Sequence, residues 1–144
     1  MITLWHVFAI TTIVTAFALV GTVAYWTLIQ ADDVLTGVDN PDALVVTDKS
    51  VHPGDTISVY SSICKRLPYK AQVLRHFADE LIYNLPEFNS NEKVGCTPNG
   101  YTIEIPSNLP PDIYTYNVQF IYQINPLKQR VYDVVSNPFK VVKE

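Results

Sequence analysis

Before Lys49 the sequence contains no lysine and no arginine, and before Asp32 it contains no acid. Cysteine occurs only at Cys64 and Cys96, with no Cys-x-x-Cys and no His-x-x-x-His pair, which excludes a four-ligand zinc site at the usual spacings. Phosphate-binding glycine loops and a Gly-x-Ser-x-Gly elbow are missing from a chain with only 5 glycines. The Asp-rich stretch at 32–42 lacks the alternating ligands and the following Glu of a calcium loop. No repeat, low-complexity tract or coiled-coil heptad is present. With a net charge of −4 and a pI of about 5.2, no nucleic-acid signature appears either. No cofactor is implied.

What fills the charge-free stretch is VFAITTIVTAFALVGTVAYWTLI, residues 7–29, long enough to cross roughly 34 Å as a helix. Trp5 lies at one end and Tyr25 and Trp26 at the other, where amphipathic rings favour the headgroup region. A cleaved signal peptide would have a basic start, a shorter apolar run and small residues at the cleavage site. Here MITLWH carries no Lys or Arg, and Ile29 stands two positions before Ala31. The expectation is a retained transmembrane anchor over 1–30. Acids at 32, 33, 39, 42 and 48 follow it before the first cation, so the C-terminal part is expected outside the cytoplasm and the N-terminus inside. Residues 31–43 read as an acidic linker, being rich in Asp, Asn, Gly and Pro without apolar periodicity.

From residue 44 to 144 the pattern is short β-type runs between turn residues. LVVT (44–47), TISVYSSIC (56–64), KAQVLRHF (70–77), ELIYNL (80–85) and YTIEI (101–105) read as strands, with HPGD (52–55) and KRLP as turns and PEFNSNEKVGCTPNG (86–100) as a long polar loop. IYTYNVQFIYQI (113–124) alternates: Tyr114, Tyr116, Val118, Phe120, Tyr122 and Ile124 on one face, Thr115, Asn117, Gln119 and Gln123 on the other. A last strand over about 130–142 is broken at Asn137-Pro138. About seven short strands in roughly 100 residues predict an all-β sandwich behind one helix.

The order of a PGD turn, a strand ending in Cys, a hairpin, an IP…LPPD.Y segment and a closing NPFKVV is similar to immunoglobulin-like or fibronectin-like sandwich modules. In SNLPPDIYTY, Tyr114 stands where such folds have their tyrosine corner. An N-terminal anchor followed by such a module resembles small single-pass membrane proteins encoded in bacteriophage and bacterial genomes, whose corner is commonly LPPG.Y and whose close is PFKV. The likeness covers about residues 44 to 142, with Asp112 in the place of the Gly. It implies a fold and an envelope setting, and brings no activity.

Cys64 sits in SICKRLPYK beside Lys65 and Arg66, which would favour a thiolate. A nucleophile also needs a base within reach. His6 belongs to the end of the membrane segment, while His52 and His76 fall at the opposite ends of their strands, about 20 Å away for His76 at roughly 3.3 Å per residue. The chain is therefore expected not to be an enzyme. A disulfide between Cys64 and Cys96 is expected if an extended segment within 86–95 brings the second cysteine back to the end where the domain begins; two free thiols in a reducing compartment are the alternative. Lys65, Arg66 and Lys70 in one connection, and Lys128 and Arg130 in another, would then form a basic tip facing the membrane. Such a tip suits anionic lipid headgroups or an acidic protein partner. The functional expectation is an extracytoplasmic binding module of unknown protein partner. The alternative is an accessory subunit whose Thr11, Thr12, Thr15, Gly21 and Thr22 pack the helix into a larger membrane complex.

Overall fold

The structure, a computed structural model, describes residues 4–28, 33–96 and 98–143. Helix α1 (Leu4–Leu28) is apolar on every side, with a mean hydropathy of 2.2 in its best window and no buried residue, and it is long and apolar enough to cross a membrane. The hydroxyls of Thr11, Thr12, Thr15 and Thr22 each donate to the carbonyl four residues earlier, so they are satisfied within the helix. Ile29, the last residue of the expected span, and residues 31 and 32 of the expected linker lie outside the described residues.

The rest is β. In chain order the strands are β1 (Leu35–Thr36), β2 (Leu44–Val46), β3 (Ser50–Val51), β4 (Thr56–Ser61), β5 (Cys64–Lys65), β6 (Ala71–Ala78), β7 (Ile82–Ser90), β8 (Asn99–Glu104), β9 (Ile113–Asn125), β10 (Lys128–Val135) and β11 (Phe139–Val141). One sheet runs β2-β4-β8, a second β3-β11-β9-β6-β7 with β10 also on β9, and β1 and β5 form a third of two strands. Only β3 and β11 pair in parallel; the remaining pairs are antiparallel. The early strand thus divides between sheets, β2 on β4 and β3 on β11.

Burial follows the alternation of β9. Tyr114, Tyr116, Val118 and Tyr122 are buried, and the facing sheet supplies Ile57, Val59 and Ile103. Aromatic contacts thicken this core: Phe77 lies 5.6 Å from Tyr116 and 5.7 Å from Phe139 between ring centroids. The hydroxyl of Tyr114 donates to the Pro110 carbonyl at 2.9 Å, closing the corner before β9. The expected break at Asn137-Pro138 separates β10 from β11, and its polar groups are used. Ser136 Oγ accepts from Tyr116 N at 2.9 Å, while Asn137 Oδ1 accepts from Val46 N at 2.7 Å and Asn137 Nδ2 donates to Val46 O at 2.9 Å. The amide therefore serves the free edge of β2 as a strand would.

Two expectations change. Residues 33–43 are not a solvated tether: Val34, Leu35 and Ala43 are buried, and β1 pairs with β5. The apolar pair Val34-Leu35 finds a core contact that its acidic neighbours obscured. The segment 86–100 is not wholly loop either, because β7 continues through Pro86 to Ser90. As the last strand of its sheet it tolerates a proline, and a register shift in its pairing with β6 falls between Val73 and Arg75.

Candidate functional site

Cys64 and Cys96 are joined in a disulfide. It staples β5 to the connection between β7 and β8, and it is reinforced by backbone pairing of Lys65 with Gly95, at 2.9 Å from Lys65 N and 2.8 Å from Gly95 N. Lys65 adds a third tie, its Nζ donating to the Glu92 carbonyl at 2.7 Å. Its side chain is 6% exposed and its ammonium lies 5.9 Å from the centroid of the Tyr122 ring. Burial lowers the Lys65 pKa from its ordinary value, with Glu92 opposing.

The expected basic tip is accordingly divided. Lys65 is not part of an exposed rim, because its stem packs inward and its charge is spent on the 91–96 segment. Arg66 and Lys70 are exposed, and Lys128 and Arg130 are half-buried. Register brings several of these to one end of the sheet: Tyr122 pairs with Ala71 on one side and with Arg130 on the other. At that end Asn125 Nδ2 donates to the Trp26 carbonyl at 3.1 Å, taking up one of the carbonyls that a helix C-terminus leaves unpaired. Lys70, Lys128 and Arg130 thus lie toward the helix. Among the described residues, no group of three or more His, Cys, Asp and Glu side chains comes together.

Between the edge strands β7 and β8 a cleft of about 700 Å³ opens. Val73, Val118, Phe120 and Tyr122 line its inner wall and Tyr101 its opposite wall. Arg75 lies among them. In β6 it falls on the same face as Ala71, Val73 and Phe77, all buried, and it pairs with Val118 across to β9. The guanidinium sits 4.7 Å from the Phe88 ring centroid and its Nη2 donates to the Pro86 carbonyl at 3.0 Å. Arg75 Nε and the Tyr116 hydroxyl are both buried, and the guanidinium and the Tyr101 hydroxyl both lie beside the Tyr116 hydroxyl as its side-chain hydrogen-bonding partners. Burial raises the Tyr116 pKa above the ordinary tyrosine value, while hydrogen bonding to Tyr101 and the charge and hydrogen bonding of Arg75 oppose that rise. Burial raises Tyr101 further in the same direction and pushes Tyr122 up to about 12.

Sequence reasoning passed over Arg75. The signal was present, since alternation through 71, 73, 75 and 77 puts an arginine in register with Ala, Val and Phe. No protein-family model matches the chain, and no curated protein matches it.

Proposed function

We propose that α1 anchors this protein in a membrane by a single pass and holds an immunoglobulin-like β-sandwich on the side away from a cytoplasmic N-terminus, where the sandwich acts as a non-catalytic binding module. One observation carries this reading: an apolar helix without Asp, Glu, Lys or Arg and without a buried residue is followed closely by a disulfide-stapled domain. Disulfides persist in oxidising compartments such as the periplasm or the cell exterior. The immunoglobulin-like assignment is supported by the division of the first β region between the sheets and by the hydroxyl of Tyr114 bonded to a carbonyl four residues upstream. A phage- or bacterium-encoded envelope protein is the setting that the resemblance suggests. Lys70, Lys128 and Arg130, on the same end as the Trp26 carbonyl contact, suit anionic headgroups or an acidic partner; Lys65 is withdrawn from that role. The test is a reporter fused after Glu144 in a bacterial host. Activity from a reporter that works only outside the cytoplasm is expected, and activity only from one that works inside would overturn the topology.

A further inference from the structure

We propose that the turn between β9 and β10 inserts Leu127 into the headgroup boundary of the membrane that α1 crosses, so that the sandwich rests on the lipid in a fixed orientation. The proposal rests on reading α1 as a membrane span, but not on which side the sandwich occupies and not on anionic lipid. Asn125 is the reason for the placement. Its side chain is 8% exposed, and both ends of its amide are used. Nδ2 donates to the Trp26 carbonyl at 3.1 Å, and Oδ1 accepts from Leu127 N at 2.9 Å. One buried amide thus ties the turn to the end of the helix and shapes the turn itself. Trp26 is half-buried, whereas Tyr25 and Thr27 beside it are exposed. Gln123 braces the turn further, its Nε2 donating to the carbonyls of Asn125 and, at 3.4 Å, of Lys128.

The helix sets the depth. At about 1.5 Å per residue its 25 residues span roughly 37 Å, more than the ~30 Å hydrocarbon core, so its end lies in the headgroup layer. Three uncharged residues, Thr27, Leu28 and Ile29, still follow Trp26 in sequence. A turn bonded at Trp26 therefore lies beside the span rather than beyond it. There it presents Leu127, 62% exposed. Against acyl chains that side chain leaves water, which is favourable for an apolar group. The far end of the sheet supplies the contrast. Leu81 is 63% exposed in the β6–β7 connection. Since β6 pairs Ala71 with Tyr122 and Ala78 with Thr115, Leu81 falls at the end of the sheet away from Asn125. A second copy of the chain is the competing occupant of an exposed leucine. The bond to Trp26 favours lipid, because it makes the turn continuous with the apolar surface of α1.

The full chain, its native disulfide intact, is placed one copy per nanodisc of phosphatidylcholine, with a nitroxide on the new thiol of Leu127→Cys, Leu81→Cys or Phe17→Cys in turn. Collision with oxygen, which concentrates in lipid, is compared with collision with a nickel chelate, which stays in water. The oxygen-to-nickel ratio at position 127 should exceed that at 81 by about threefold or more and stay below that at Phe17, in the middle of α1. Pro126→Cys, exposed on the same turn, should repeat the result should Leu127→Cys fail to fold. Adding Asn125→Ala should bring the ratio at 127 at least halfway down to that at 81. Equal ratios at 127 and 81 overturn the proposal. So does a label at 127 that loses nickel contact only when two copies share a disc, which marks a second copy as the occupant. A watery ratio at Phe17 sinks the membrane span and this proposal together; a lipid ratio at Phe17 with a watery one at 127 sinks this proposal alone. A cytoplasmic reporter result changes none of these collisions.

Discussion

The Tyr132 hydroxyl accepts the Val34 backbone N–H at 2.9 Å, fastening the segment just beyond the helix to a strand 98 residues later. Val34 is fully buried, so its N–H has no water to fall back on. Tyr132→Phe keeps the ring that packs 6.0 Å from Tyr122 and removes only the acceptor. It should cost about 1–3 kcal/mol in a denaturant melt of the full chain. No measurable loss would mean that the segment is held without this bond.

Asn137 is predicted to matter more than an exposed loop asparagine. Its side chain satisfies both the N–H and the carbonyl of Val46. Asn137→Ala leaves both groups without that partner and should destabilise by about 1–3 kcal/mol. Asn137→Asp restores the acceptor but not the donor, so it should fall short of full rescue. Thermal melts of the three proteins side by side give the order.

Core and surface should separate cleanly on β6. Phe77→Ala removes a fully buried ring that touches Tyr116 and Phe139, and should cost roughly 3–5 kcal/mol. Gln72→Ala, exposed on the other face, should stay within about 0.5 kcal/mol. Similar midpoints for both would contradict the inward face assigned to this strand.

These sites differ in how readily the sequence betrays them. The helix, the alternation of β9 and the break at Asn137-Pro138 are all written locally, as hydropathy, period two and a proline. The end of β7 is not. On an edge strand with Pro86, Glu87, Phe88 and Asn89 exposed, no buried face imposes a pattern. Val34 and Leu35 were masked by the acids around them, and the inward turn of Lys65 depends on Glu92 and Tyr122, which only the folded topology brings near. Arg75 was legible in principle, because its strand alternates. Its contacts with Tyr116, Phe88 and the Pro86 carbonyl were not, since only the folded topology brings those groups near.

Alkali should unfold the domain through its tyrosines. Burial raises Tyr101, Tyr116 and Tyr122 above the ordinary value of 10.0, so the folded state holds protons that the unfolded state releases. Stability is complete below that value and falls as pH rises through it. Lys65 acts in the opposite sense: with its pKa lowered, the unfolded chain binds more protons between the folded value and 10.5, and stability rises with pH there. Melting temperature followed from about pH 8 to 11 should therefore drop at the alkaline end. Lys65→Met should remove the opposing rise and steepen the net decline. Tyrosinate absorbance that develops fully while the fold persists would contradict the burial of these rings.

The disulfide is where compartment, stability and topology meet. Closing a separation of 32 residues stabilises by about 3–4 kcal/mol on the chain-entropy estimate. Cells expressing the full chain are quenched in acid, free thiols are blocked, and the protein is then reduced and tagged with a thiol-reactive polymer. An oxidised domain outside the cytoplasm predicts that both Cys64 and Cys96 escape the block and take the tag after reduction. A protein that takes no tag, because both thiols were free and blocked inside the cell, would contradict the account.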